Sequence, residues 1–300
     1  MKIKGNFTSV SIKRIPFYFL ISSLAAIVLR SFQMLKFIDP ETGFYKGGSI
    51  ITVVLYALIA VSCLGFAVVS YLSAESPKLE VQGIKSKNAG IATLAFAVAL
   101  LFDSVSSLIS SGNLMTSSGG GAFKSMMLSG SAPTFFQGIF ALISAVYFII
   151  LAKDFFKGTI NASKHKILAL APVGWTGFRM IFRFVRQISF VKVSDLFLEL
   201  IMLAFMIMFF MAFAQVAGGV YSDGFRWRIP ALGIGGALIA ATLSVSRLIF
   251  TVVNFEGYIN TQHTFQLADL IFAVFAVVLL CETSKNLTPY TAYDEANDEE

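Results

Sequence analysis

Among the charged residues within long apolar segments of this 300-residue chain, seven can meet in one layer, and four of the seven are arginines. They are Arg30, Asp103, Arg179, Arg183, Glu199, Arg247 and Asp269. A guanidinium group presents a planar fork of N–H donors that fits carboxylate or phosphate. The three acids can hold the arginines in place or carry coupling protons. The pattern therefore favours binding of a small anionic or zwitterionic solute over catalysis.

Signatures of catalysis and of metal binding are scarce in the sequence. The two histidines, His165 and His263, are far apart, and no H-E-x-x-H, G-x-S-x-G or nucleotide-binding motif occurs. The two cysteines, Cys63 and Cys281, fall in apolar segments and do not suit a disulfide framework or a metal site. We predict no catalytic residue, no metal and no cofactor, with an enzyme acting on lipid headgroups as a third interpretation.

The elements that must position these residues are apolar helices. Hydrophobic residues make up 56% of the chain and charged residues 13%, about half of the charged fraction in soluble domains. A bilayer core requires about 20 apolar residues per helix. Eight segments meet this requirement: 16–37, 49–72, 88–110, 133–152, 166–188, 194–217, 230–254 and 264–283. The sequence predicts an all-α integral membrane protein with eight transmembrane helices in four sequential hairpins, surrounded by lipid.

The distribution of basic residues predicts the orientation of these helices. Fourteen lysines and arginines flank the segments on one side and five on the other. The positive-inside rule makes the richer side, with both termini, cytoplasmic in a multi-pass protein of the cell membrane. This placement also argues against nucleic-acid binding, despite a net charge of +6. Trp175 and Trp227 are expected at the cytoplasmic interface, where aromatic belts occur.

The predicted domain organisation is a single transmembrane domain over residues 1–286, followed by an acidic, disordered cytoplasmic tail over 287–300. The tail and the basic loops could contact a protein partner at the cytoplasmic face. The charged positions Arg30, Asp103, Arg179 and Arg247 follow one another at intervals of 73, 76 and 68 residues. This spacing suggests an internal repeat of four hairpins, over 16–73, 88–152, 166–217 and 230–283.

The same four positions fall at a similar depth in the membrane. At 1.5 Å per residue they lie roughly 20–25 Å from the cytoplasmic start of their helices, beyond the midplane of a core of about 30 Å. Acids on the returning helices come at matching depth, with Asp195 and Arg186 at the rim. The predicted pairs are Arg30 with Asp103, Arg179 or Arg183 with Glu199, and Arg247 with Asp269.

Charged side chains at this depth are costly in lipid, so we expect them to face the interior of the bundle. One interpretation is an outward-facing polar cavity in which Arg30, Arg179 and Arg247 bind the solute, as in a transporter or permease. The other is a set of interhelical salt bridges, with arginines reaching toward the outer interface. A membrane sensor or accessory subunit, binding a ligand without transport, is the alternative function.

Overall fold

The computed structural model describes residues 14–37, 50–72, 75–77, 85–117, 126–127, 129–158, 162–186, 193–218, 225–253, 265–284 and 287–289. Eight α-helices account for most of them: α1 (Ile15–Phe37), α2 (Ile50–Leu72), α3 (Lys87–Ser117), α4 (Ser131–Lys157), α5 (Ala171–Arg186), α6 (Val193–Ala217), α7 (Phe225–Val253) and α8 (Leu267–Thr283). Two short strands, β1 (Glu75–Pro77) and β2 (Leu287–Pro289), pair antiparallel. The eight helices coincide with the eight segments predicted from hydropathy.

Six of the eight helices are long and apolar enough to cross a membrane, which is consistent with a helical membrane protein. The other two, α5 with 16 residues and α8 with 17, are shorter. The segment before α5 forms 3₁₀ turns at Ala162–His165 and Leu168–Leu170. Pro172, in the first turn of α5, has no N–H to donate to a preceding carbonyl, so the α-helix starts later than the predicted residue 166.

Helix α7 lies at the centre of the bundle. It contacts α1, α2, α6 and α8, and α3 links α8 to the pair formed by α4 and α5. The most apolar part of α7 is 67% buried inside the protein, against 17% for α2. The exposed side chains of α2 include large apolar groups such as Ile50, Val53 and Leu64. Such a surface suits contact with a lipid bilayer and not with water.

Consecutive helices contact each other in the pairs α1–α2, α3–α4, α5–α6 and α7–α8. Their lengths differ, at 23 and 23, 31 and 27, 16 and 25, and 29 and 17 residues. The four pairs are thus unequal in length, and the structure gives no support to the predicted internal repeat. In the predicted tail, Leu287–Pro289 forms β2 and so is in a strand, while 290–300 lies outside the described residues.

Candidate functional site: a buried arginine layer

Glu199 is the centre of a network of buried ion pairs. Its Oε1 lies 2.8 Å from Arg183 Nη2 in an ion pair. The same oxygen accepts hydrogen bonds from Arg183 Nε at 2.9 Å and from Arg179 Nη2 at 3.3 Å. Its Oε2 accepts from Arg247 Nη2 at 3.1 Å. One carboxylate of α6 thus binds three guanidinium groups from α5 and α7.

Asp269, in the first turn of α8, binds the same cluster through Arg179. Arg179 Nη1 donates to Oδ1 at 2.5 Å and Nη2 donates to Oδ2 at 2.7 Å, which is the bidentate geometry. We call Arg179, Arg183, Arg247, Glu199 and Asp269 the arginine layer.

The arginine layer is enclosed by protein. Arg179 and Asp269 are each 1% exposed, Glu199 3%, Arg247 4% and Arg183 8%. Three positive and two negative charges are therefore held away from lipid. Breaking a buried pair by removal of one partner costs about 3–5 kcal/mol, because the other charge is left without compensation. The layer is consequently a rigid element of the bundle in this state.

Asp103 of α3 lies beside the layer but has different partners. Its Oδ2 accepts from the indole Nε1 of Trp175 at 2.6 Å and from Nε2 of Gln137 at 3.1 Å. The Gln137 amide also donates to Ser107 Oγ at 3.1 Å. The Trp175 ring lies 5.9 Å below the guanidinium carbon of Arg179, within the range of a cation–π interaction. Trp175 therefore connects Asp103 to the arginine layer.

Arg30 of α1 is completely buried and contacts a polar side chain of its own helix. It donates through Nη1 to Oε1 of Gln33, one turn further along α1, at 2.5 Å. The Gln33 amide donates to Thr52 Oγ1 of α2 at 2.6 Å. These contacts tie α1 to α2.

A block of aromatic rings lies under the polar layer. Phe96 packs 6.1 Å from the Trp175 ring and 5.4 Å from Phe275, and Phe210 packs 6.4 Å from Trp175. All of these side chains are at most 1% exposed. The aromatic block, defined here by Phe96, Phe148, Phe209, Phe210, Phe272 and Phe275, closes the interior of the bundle on the side of Trp175 away from Arg183.

The structure supports one of the three predicted pairings and replaces two. Glu199 binds both Arg179 and Arg183, as predicted. Asp269 binds Arg179 and not Arg247, because Arg247 donates to Glu199 instead. Among the described residues Asp103 has only neutral donors, so its predicted pair with Arg30 is wrong. The side chains of Asp195 and Arg186, predicted at the rim, lie outside the described part of the chain.

Sequence reasoning missed the role of Trp175. It was expected at the cytoplasmic interface, but its side chain is fully buried and donates to Asp103. The available signal was its spacing of four residues before Arg179, which puts both on one face of α5.

Comparisons with known proteins give no relative for this chain: no family model, no curated protein and no solved structure matches it.

Proposed function

We propose that the protein is a multi-pass transporter of the cell membrane that takes a small anionic or zwitterionic solute from the outside. The observation that carries this proposal is the convergence of three guanidinium groups on the single carboxylate of Glu199. A carboxylate or phosphate of a ligand would use the same donors in the same geometry. The five side chains of the arginine layer carry one more positive than negative charge, which favours an anion.

The burial of the layer indicates how access would be controlled. In this structure the acids occupy the donors, so a ligand must take over contacts now made by Glu199 or Asp269. Arg183, the most exposed of the three arginines, is the first that an entering solute would meet. The aromatic block on the opposite side of Trp175 would have to separate to release the solute into the cytoplasm. In this proposal, the structure with both sides closed is the occluded state of an alternating-access cycle.

The proposed transporter has eight spans with both termini in the cytoplasm. The short helices α5 and α8 extend roughly 24–26 Å at 1.5 Å per residue, close to a core of about 30 Å. Exposed residues at the two ends of α3 test the orientation. With Cys63 and Cys281 replaced by alanine, Asn113→Cys should react with a membrane-impermeant maleimide on intact cells. Lys85→Cys should react only after permeabilisation, and the opposite pattern would overturn the proposed topology.

Ligand binding is tested on the purified protein in nanodiscs. Inorganic phosphate, succinate, glutamate and glycine betaine are screened for an increase in melting temperature, and each hit is radiolabelled for uptake into proteoliposomes. We expect at least one hit to be taken up, and Arg183→Gln to lower its uptake at least tenfold. Arg14→Gln, an exposed charge loss outside the layer, is the control and should leave uptake unchanged.

Two results would contradict the proposal. Binding without uptake would indicate the sensor or accessory subunit instead of a transporter. Equal uptake by the Arg183→Gln and Arg14→Gln variants would show that the arginine layer does not handle the solute. In that case the layer has only the structural role of joining α5, α6, α7 and α8.

A further inference from the structure

The three acids of the site differ in the groups that donate hydrogen bonds to their carboxylate oxygens. Both oxygens of Asp269 accept from Arg179, and both oxygens of Glu199 accept from arginines. Asp103 accepts only from the neutral groups of Trp175 and Gln137, and both bind the same oxygen, Oδ2. Its Oδ1 accepts no hydrogen bond from any described residue, and the side chain is partly exposed. Of the three, Asp103 is therefore the acid that makes no ion pair within the described part of the chain.

We propose that Asp103 is the proton-binding site of this protein and that its protonation accompanies binding of the anion to the arginine layer. This inference rests on the proposed function and names which acid carries the coupled proton. The proton adds to Oδ1, and Oδ2 becomes the carbonyl oxygen, which continues to accept from the indole and the amide. Both hydrogen bonds to Oδ2 are retained in this step, but a neutral carbonyl oxygen accepts them less strongly than a carboxylate does.

The same step is costly at the other two acids. A proton on Asp269 or Glu199 removes the negative charge from a buried guanidinium and replaces charge-assisted hydrogen bonds with weaker ones. Two elements packed around Asp103 present polar or charged groups to it. From α4 it meets the neutral Gln137, and from α5 the Arg179 guanidinium lies within electrostatic range but is already bound by Asp269 of α8.

The charge of the site accounts for coupling between proton and anion. With Asp103 ionised, the arginine layer together with Asp103 carries three positive and three negative charges. Protonation of Asp103 leaves one positive charge in excess, equal to the charge of one monovalent anion. The Trp175 side chain contacts both groups, since its N–H donates to Asp103 and its ring face lies below Arg179. It therefore connects the proton site to the arginine layer. The expected stoichiometry is one proton per monovalent anion.

Infrared difference spectroscopy tests the proton site without any ligand. The wild-type protein in nanodiscs is compared at acidic and neutral pH, and the C=O stretching band of a protonated carboxyl is recorded. We expect a component of this band to be absent in Asp103→Asn, shifted in Asp103→Glu and retained in Asp269→Asn. A band that survives unchanged in Asp103→Asn and disappears in Asp269→Asn or Glu199→Gln would overturn the proposal. The Asp103→Glu variant keeps a titratable group, so it decides the result if Asp103→Asn does not fold.

Linkage to the anion is tested with the probes that bind in the screen. For one coupled proton the apparent dissociation constant of a probe whose own charge is constant over the pH range, such as glutamate, should rise up to tenfold for each unit of pH, and this dependence should vanish in Asp103→Asn. Persistence of the dependence in Asp103→Asn would contradict the coupling. If none of the four solutes binds at any pH, the proposed function fails, while the infrared result still decides whether Asp103 binds the proton.

Discussion

A double-mutant cycle on Arg179 and Asp269 tests whether the pairing in the structure stabilises the bundle. Asp269→Asn removes the negative charge and places an amide N–H₂ opposite a guanidinium that now makes bonds of 2.5 and 2.7 Å. Arg179→Gln leaves Asp269 without a described ion-pair partner. Since each group is 1% exposed, each single change should lower the free energy of unfolding by about 3–5 kcal/mol.

The double variant should cost much less than the two single changes together. Gln and Asn are neutral and can hydrogen-bond to each other, so no uncompensated charge is left at this position. We expect a coupling free energy of about 3 kcal/mol. The measurement is unfolding of the purified protein in mixed micelles with increasing SDS, followed by circular dichroism. The result should hardly depend on ionic strength, because the pair is shielded from solvent.

A second cycle decides between the pairing predicted from the sequence and the pairing in the structure. Arg247→Gln with Asp269→Asn should show weaker coupling than Arg179→Gln with Asp269→Asn, since Arg247 binds Glu199. Arg14→Gln is the control and should change stability by less than about 0.5 kcal/mol. Coupling between Arg179 and Asp269 of only about 0.6 kcal/mol, as for neutral interhelical hydrogen bonds in membranes, would refute the reasoning.

Two further predictions use single substitutions on α5. Trp175→Phe keeps an aromatic ring under Arg179 but removes the N–H that donates to Asp103. It should lower the free energy of unfolding by about 1.5–3 kcal/mol in the same assay. No change would mean that this hydrogen bond does not contribute to stability. Gly174→Ala should lower stability by about 1–3 kcal/mol, because its Cβ would lie 2.5 Å from a ring carbon of Phe140. Gly177→Ala, with open space at the Cβ position, should be neutral or gain up to about 1 kcal/mol, and a loss as large as that of Gly174→Ala would show that packing is not the cause.

The positions of the helices were predictable because a membrane leaves few alternatives. A run of about 20 apolar residues must bury its backbone hydrogen bonds within itself, so each such segment becomes a helix. The largest departure is the end of α3, which lies at Ser117 instead of the predicted residue 110. At the start of α5 the departure is smaller, because Pro172 and the preceding 3₁₀ turns delay the α-helix to Ala171. Hydropathy does not register such local geometry.

The sequence alone also determined that the seven charged groups had to be accommodated away from lipid, since the cost of exposing them follows from their chemistry and depth. It could not determine their partners. Arg179 and Asp269 are 90 residues apart, and which acid faces which arginine depends on the rotation of each helix about its axis. Rotation of a helix by half a turn about its own axis moves a side chain to the opposite face without changing its depth in the membrane. Packing of the tertiary structure therefore decided that Glu199 binds three arginines. It also decided that Asp103 accepts hydrogen bonds from Trp175 and Gln137 and makes no ion pair with a described residue.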